Sequence, residues 1–187
     1  MLRRGEILNN TYEVMEEIGQ GGAGIVYLAW HLRLQKKVVI KKIKDAFGGR
    51  ISERREADIL KSLHHKYLPQ VYDFVQVGDS VFTVMDYIEG WDLLKYIQRG
   101  QTFSERQLLI WMRQLTEVLE YLHGQKPAIV HSDIKPSNIM ITPEGDVCLI
   151  DFNVSFGDGG TRGISGYSQR YASPEQIYRS QVIRNGG

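Results

Sequence analysis

The apolar residues of this 187-residue chain change their spacing near Glu89-Gly90. Before that point, short runs alternate between apolar and polar side chains, which is typical of half-buried strands. Beyond it, the longest pattern has the three- and four-residue spacing of an amphipathic helix. The chain is therefore predicted to be an α+β protein in two parts, residues 1–89 and residues 90–187.

The first part is predicted to form a five-stranded antiparallel sheet with one helix. The strands are expected over residues 12–18, 25–30, 38–43, 71–77 and 81–87, and the helix over residues 52–63. Glycines separate the first two strands, and Gly78-Asp79 separates the last two, so both connections are predicted to be hairpin turns.

The second part is predicted to be mostly helical. A short helix is expected over residues 92–99, and Ser104 with Gln107 forms the capping-box pattern that begins a longer one. That helix is expected to end near His123 and to bury one broad apolar face, made of Leu108, Leu109, Trp111, Met112, Leu115, Val118, Leu119 and Leu122. Short strands are expected over residues 139–141 and 147–150, and the residues after Asp151 are predicted to form a loop.

Composition excludes several classes of partner and location. Lysine plus arginine number 23 and aspartate plus glutamate 22, so a nucleic acid or a membrane surface is not expected to be an electrostatic partner. Cys148 is the single cysteine, which rules out a disulfide within the chain. No apolar run approaches the roughly 18 residues of a membrane span, and the N-terminal residues do not resemble a signal peptide. The expected location is the cytoplasm.

A tract in the second part carries the groups that transfer of a phosphoryl group from a metal–nucleotide complex requires. Asp133 offers a carboxylate base, Lys135 a cation, and Asn138 with the later Asp151 two oxygen ligands for a hard metal ion. A zinc pair of His131 with Asp133 is not supported, because no further cluster of histidine or cysteine accompanies it.

A glycine-rich segment lies between the first two predicted strands. It fits the pattern G-x-G-x-x-G-x-V and reads Gly19-Gln20-Gly21-Gly22-Ala23-Gly24-Ile25-Val26. Glycines permit backbone amides to approach phosphate oxygens, but a plain tight turn would also contain them. A dinucleotide-binding fingerprint would require a helix after the glycines, whereas a strand is predicted here.

In order and spacing, these motifs resemble those of eukaryotic-like protein kinases of the bacterial serine/threonine type, from about residue 12 to residue 181. Three further segments carry the resemblance: Val38-Val39-Ile40-Lys41 for V-A-I-K, Asp151-Phe152-Asn153 for D-F-G, and Ser173-Pro174-Glu175 near the end of the activation segment. The resemblance implies a two-lobed fold, with the predicted sheet as the N-lobe and a helical C-lobe. Kinase C-lobes continue with further helices, so the C-lobe here is expected to be incomplete. The chain is then either a truncated form of a kinase or a minimal form that a partner or self-association stabilises.

The resemblance also implies catalytic roles. The residues concerned are Lys41, Glu56, Asp133, Lys135, Asn138 and Asp151, of which Asn138 and Asp151 would bind Mg²⁺ or Mn²⁺. Lys41 would hold the nucleotide phosphates, and strand alternation puts the competing Lys42 on the opposite face. Glu56 is favoured over Glu53 as the carboxylate that holds Lys41.

The ATP-binding residues follow from the same resemblance. They are Ile18, Gly19, Gln20, Gly21, Gly22, Ala23, Gly24, Val26, Val39, Lys41, Met85, Asp86, Ile88 and Met140. Backbone groups of Asp86 and Ile88 would bind adenine, and Met85 would guard the back of the pocket.

The implied activity is transfer of the ATP γ-phosphoryl group to serine or threonine of a protein substrate. Lys135, and Ser168 in the place of a threonine that bonds the catalytic aspartate and lysine, favour this acceptor class over tyrosine. Thr161 and Ser165 are candidate autophosphorylation sites. The alternatives are a nucleotide-binding pseudokinase or scaffold, and a small-molecule phosphotransferase of the antibiotic-kinase type.

One residue of the tract departs from the kinase pattern. Ser132 stands where most kinases carry an arginine that pairs with a phosphorylated loop residue. A serine cannot form that ion pair, so activity is predicted to be independent of loop phosphorylation.

Overall fold

The chain forms two compact units. The computed structural model describes residues 1–21, 24–42, 51–151, 155–156, 168 and 170–175, without the side chains of 51–56 and 155–156. One unit comprises Met1–His64 and Pro69–Tyr87, and the other comprises His65–Leu68 and Ile88–Gly187. The polypeptide therefore enters the second unit briefly at His65 before it completes the first.

The first unit is built on an antiparallel sheet that has six strands among the described residues. Their order in the sheet is β1-β2-β3-β4-β6-β5. The strands are β1 (Ile7–Leu8), β2 (Tyr12–Gly21), β3 (Gly24–His31), β4 (Lys36–Lys42), β5 (Val71–Val77) and β6 (Ser80–Asp86), and helix α1 (Ile51–Ser62) lies between β4 and β5 in the chain.

The prediction of five strands in this sheet was wrong, because it missed β1. That strand pairs Ile7 with Glu13 and Leu8 with Tyr12. Two residues are too few to show the alternation that marks a strand in a sequence, and their pairing depends on the chain turning back onto β2.

The core of this unit lies on one face of the sheet. Val38 and Ile40 of β4 are fully buried there, together with Ala29 and Val84 of the neighbouring strands. Because successive side chains of a strand point to opposite faces, this register places Val39 and Lys41 on the other face.

The second unit contains two well-formed helices among its described residues. They are α2 (Leu93–Gln98) and α3 (Glu105–His123). Asp92 caps α2 by accepting a hydrogen bond from the Lys95 backbone at 2.9 Å, and Ser104 caps α3 by accepting one from the Gln107 backbone at 3.2 Å. The helix start predicted from the capping pattern at Ser104 is confirmed.

Short strands accompany these helices in two small sheets. They are β7 (Trp91–Asp92), β8 (Ile129–Val130), β9 (Ile139–Ile141), β10 (Val147–Leu149) and β11 (Ser155–Phe156). The sheet orders are β10-β9-β7 and β11-β8. A 3-10 helix, Pro136–Asn138, leads directly into β9.

Helix α3 buries a narrower face than predicted. Trp111, Val118 and Leu122 are buried, whereas Leu109 and Met112 are 59% and 64% exposed. A buried polar residue, Gln114, completes the inward face. The prediction that α3 buries one broad apolar face was therefore wrong, because Leu109 and Met112 point outward.

Gln114 is buried because both ends of its amide are hydrogen bonded. The amide nitrogen donates to Asp146 Oδ1 at 2.5 Å, and its oxygen accepts from the Val147 backbone at 3.0 Å. These bonds fix the turn between β9 and β10 against α3. A buried polar side chain with both groups satisfied specifies one packing arrangement.

No helix in the described part of the chain is both long enough and apolar enough to cross a membrane.

Candidate active site

The tract from His131 to Asn138 forms a tight loop between β8 and β9. Its end is closed by the 3-10 helix, in which the Asn138 backbone donates to Lys135 O at 2.9 Å. Ser132 has a φ of 65°, a left-handed conformation that non-glycine residues seldom adopt. The loop thus turns sharply just before Asp133, which is 7% exposed.

His131 holds the base of this loop. Its Nε2 lies 3.0 Å from the backbone oxygen of Ile150, which can only accept a hydrogen bond, so this nitrogen carries a proton. Its Nδ1 lies 3.4 Å from the backbone nitrogen of Asp133, which donates. The ring is 1% exposed and joins the start of the loop to the backbone of Ile150.

The carboxylate of Asp133 accepts hydrogen bonds from three residues, the longest of them from Asn138 Nδ2 to Oδ2 at 3.3 Å. Lys135 Nζ donates to Oδ2 at 2.7 Å, and the Ser168 backbone donates to Oδ1 at 3.0 Å. Lys135 Nζ also donates to Ser168 Oγ at 2.6 Å. Asp133, Lys135 and Ser168 therefore close a ring of hydrogen bonds that sets the orientation of the carboxylate.

These contacts keep Asp133 ionised. Burial alone would raise the pKa of its carboxyl group, but the hydrogen bonds from Lys135 and Ser168 outweigh burial and hold the pKa below its usual value. An oriented, ionised carboxylate can accept a hydrogen bond from a substrate hydroxyl and take its proton as that oxygen forms a new bond.

Asn138 and Asp151 lie at the junction of this loop with β10. Asn138 Nδ2 donates to Asp133 O at 2.8 Å, so the amide nitrogen is directed at the loop. The Ile150 backbone donates to Asn138 O at 2.9 Å. Asp151 is the next residue in the chain after Ile150. Asp151 has a φ of 68°. One amide oxygen and one carboxylate are donors that suit Mg²⁺ or another hard divalent cation.

On the first unit, the sheet face opposite the core gathers several of the predicted nucleotide contacts. Lys41 pairs with Val26 on β3, and Val39 pairs with Met85 on β6. Directly paired residues of an antiparallel sheet share a face. Lys42 pairs with the core residue Phe82, so the register supports Lys41 over Lys42 as the residue on this face.

The hairpin before this face requires glycine at one position. Gly24 pairs with Gly21 and has a φ of 117°. A Cβ at Gly24 would lie 2.6 Å from the backbone oxygen of Lys42, closer than a real Cβ contact. Gly24 therefore lets β3 approach the end of β4 while it starts the strand that carries Val26.

The predicted residues divide between the two units. The first unit holds Ile18, Gly19, Gln20, Gly21, Gly24, Val26, Val39, Lys41, Glu56, Met85 and Asp86, and the second holds Ile88, Asp133, Lys135, Asn138, Met140 and Asp151. Glu56 lies in α1, but its side chain is outside the described residues, as are Gly22, Ala23, Phe152, Asn153, Thr161 and Ser165.

Sequence reasoning missed the side chains that bind Asp86. Lys36 Nζ and Tyr72 OH both donate to its carboxylate. Nothing in the local sequence marks this cluster, because its members come from three strands whose register is set by the folded sheet.

Comparisons with known proteins agree with this arrangement. The protein kinase domain family matches residues 12–185. The probable serine/threonine-protein kinase YbdM of Bacillus subtilis is 35% identical over 159 residues, which cover 82% of this chain and 61% of that protein. The serine/threonine-protein kinase cds1 of Schizosaccharomyces pombe is 32% identical over 96% of this chain and 41% of its own length. PrkC of Bacillus subtilis, also a serine/threonine-protein kinase, is 32% identical over 92% of this chain and 28% of its own length.

The chain thus spans less than two thirds of the length of each of these relatives. The match nevertheless covers nearly all of this sequence, including the loop around Asp133 and the strand that carries Lys41. The chain belongs to the protein kinase family.

Proposed function

We propose that this chain is an ATP-dependent protein kinase that phosphorylates serine and threonine hydroxyls. The observation that carries the proposal is the ring of hydrogen bonds between Asp133, Lys135 and Ser168. It holds a carboxylate and a cation side by side, as phosphoryl transfer requires.

In the proposed reaction, the acceptor hydroxyl oxygen attacks the γ-phosphorus of ATP. The new oxygen–phosphorus bond forms as the bond to the β–γ bridging oxygen breaks, and ADP leaves with that electron pair. Asp133 accepts the hydroxyl proton. Lys135, bonded to the same carboxylate, offsets negative charge on the transferring group.

The metal ligands proposed for the site are Asn138 and Asp151. A divalent cation held there would neutralise phosphate charge when bound. The amide nitrogen of Asn138 is bonded to the loop, which fixes the direction of its oxygen. Lys41 would bind the phosphates from the sheet, with Glu56 as its partner and Val26, Val39 and Met85 beside the adenine.

Ser168 supports serine and threonine as the acceptor class. It contacts both Asp133 and Lys135, as the resemblance to serine/threonine kinases implies. The named relatives are serine/threonine-protein kinases as well. Thr161 and Ser165 are the proposed autophosphorylation sites.

A transfer assay tests this proposal against its alternatives. Chain incubated with Mg²⁺ and γ-labelled ATP is offered a mixed protein acceptor in one sample and an aminoglycoside in another. We expect label in protein, recovered after acid hydrolysis as phosphoserine and phosphothreonine. Label in the aminoglycoside alone would assign a small-molecule phosphotransferase. ATP binding without transfer to either acceptor would assign a nucleotide-binding scaffold.

A further inference from the structure

The end of β6 is bound to both of its neighbouring strands by one side chain. In the sheet, β6 lies between β4 and β5 and runs antiparallel to each. The last residue of β6, Asp86, therefore lies beside the first residues of the two neighbours. Two residues further on, at Ile88, the chain enters the second unit.

The Asp86 carboxylate accepts three hydrogen bonds. Lys36 Nζ donates to Oδ1 at 2.8 Å and Tyr72 OH donates to the same oxygen at 2.5 Å. The Gln70 backbone donates to Oδ2 at 3.0 Å. The Asp86 backbone nitrogen in turn donates to Gln70 O at 3.0 Å. Asp86 is thus held through its side chain and its backbone.

A β-bulge brings Tyr72 into this cluster. Along β5, Val71 pairs with Met85 and Asp73 with Val84, so Tyr72 is an extra residue without a partner in the ladder. A bulge bends its strand and redirects a side chain. Here the hydroxyl of the bulged tyrosine reaches across to the end of β6, while Lys36 also lies over its ring, 4.7 Å from the centroid.

The charges of the cluster agree with this geometry. Burial alone would raise the pKa of the Asp86 carboxyl group, but the bonds from Lys36, Tyr72 and Gln70 hold it below its usual value. The hydrogen bond to Asp86 raises the pKa of Lys36. Both groups are therefore charged at neutral pH and remain bonded.

The residue after Asp86 is held too. Lys37 Nζ lies over the Tyr87 ring, 5.6 Å from its centroid. The peptide unit that joins Asp86 to Tyr87 is thus fixed at its first residue by the carboxylate cluster and at its second by a cation–π contact. These contacts restrict rotation of that peptide unit, which carries the Asp86 carbonyl.

We infer that Lys36 and Tyr72 are positioning residues that make the site selective for adenine over guanine. The inference rests on the proposed function, in which the Asp86 carbonyl accepts a hydrogen bond from the exocyclic amine of adenine. Guanine carries an oxygen at that position, so a carbonyl fixed toward it repels guanine. A peptide free to rotate could present its N–H group instead, and selectivity would fall.

The test compares Tyr72→Phe and Lys36→Met with the matched control Lys61→Met. Lys61 forms a similar ion pair with Asp73 on the same unit, at 3.1 Å and with comparable exposure of both side chains. Dissociation constants for Mg-ATP and Mg-GTP are measured by calorimetry, because the two nucleotides share the same triphosphate. Lys36→Arg, which keeps a charged donor, serves as the rescue variant.

We expect Tyr72→Phe and Lys36→Met each to lower the ratio of ATP affinity to GTP affinity by about fivefold or more. A change of this size is expected when one hydrogen bond to a charged group is lost. Lys61→Met and Lys36→Arg should keep the wild-type ratio. An unchanged ratio in both cluster variants, an equal loss for both nucleotides, or the same change in the control would overturn the inference. Failure of the wild type to bind ATP would instead refute the proposed function, and the inference with it.

Discussion

At the scale of single residues, Asp133 is defined by its contacts more than by its burial. Its carboxylate receives a lysine ammonium and a backbone N–H group, and these lower the pKa that burial alone would raise. The contribution of this lowered pKa to stability is fully present above the unfolded value of about 3.9. It is lost as the pH falls through the lower folded value.

Lys135→Met is therefore predicted to raise the pKa of Asp133, because the largest favourable contact of the carboxylate is removed while its burial remains. The pKa is followed by NMR from the side-chain carboxyl carbon. The difference in unfolding free energy from wild type should be greatest at neutral pH and shrink in acid. Lys66→Met, which removes the 2.7 Å partner of Asp146 instead, is the control. A pKa of Asp133 that is unchanged in Lys135→Met would contradict this account of the site.

Ser168 offers a second prediction at this scale. Its hydroxyl accepts from Lys135 at 2.6 Å, and a hydrogen bond to a charged group contributes about 1.5–3 kcal/mol. Ser168→Ala should lower kcat by roughly tenfold or more, because the contact that orients Lys135 is lost. Ser168→Thr keeps the hydroxyl and should retain most activity. Equal losses in the two variants would show that the hydroxyl is not what matters.

Because residue 132 is a serine, we expect the activity to be independent of loop phosphorylation. The side chain of Ser132 has no positive charge to pair with a phosphate, whereas an arginine at this position would couple a phosphorylated loop to Asp133. The double variant Thr161→Ala/Ser165→Ala should therefore keep kcat within about tenfold of wild type that has first been incubated with Mg-ATP to allow autophosphorylation. A larger loss would refute the prediction.

At the scale of elements, the sequence predicted those helix and strand bounds that depend on the local spacing of residues. Strand β5 occupies residues 71–77 as expected, and α3 begins after Ser104 because that side chain caps it. The bulge at Tyr72 lies inside the same strand and was not predicted. A bulge depends on how two strands pair, and the alternation within one strand does not encode the register of the other.

The outward face of α3 shows the same limit. Helical spacing identified eight apolar positions, but tertiary packing decides which of them are covered. Leu122 is fully buried and Met112 is 64% exposed. Leu122→Ala should lower the unfolding free energy by about 2–5 kcal/mol. Met112→Ala should change it by less than about 0.5 kcal/mol.

Urea denaturation followed by circular dichroism measures both values in the same helix. Equal effects of the two substitutions would mean that the face of α3 carrying Met112 is covered in solution. Circular dichroism of the folded state at zero urea controls for loss of helix before the transition.

At the scale of the whole molecule, the sequence did not predict that a short segment between α1 and β5 belongs to the second unit. His65–Leu68 belongs to the second unit although it lies between α1 and β5 of the first. The Leu149 backbone donates to Tyr67 O at 2.9 Å, and Lys66 pairs with Asp146 at 2.7 Å. These partners are about eighty residues away, so no local pattern predicts them, whereas the order of motifs from Gly19 to Asp151 was sufficient to predict the family.

We propose Asp133 as the catalytic base for phosphoryl transfer. Asp133→Asn nearly preserves the size of the side chain but removes its charge and its basicity. General base catalysis typically contributes about 10²–10⁴-fold to a rate. We therefore expect kcat for transfer from γ-labelled ATP to protein to fall by at least about a hundredfold, while the dissociation constant for Mg-ATP changes little. Transfer at the wild-type rate by Asp133→Asn, with ATP binding intact, would contradict the account.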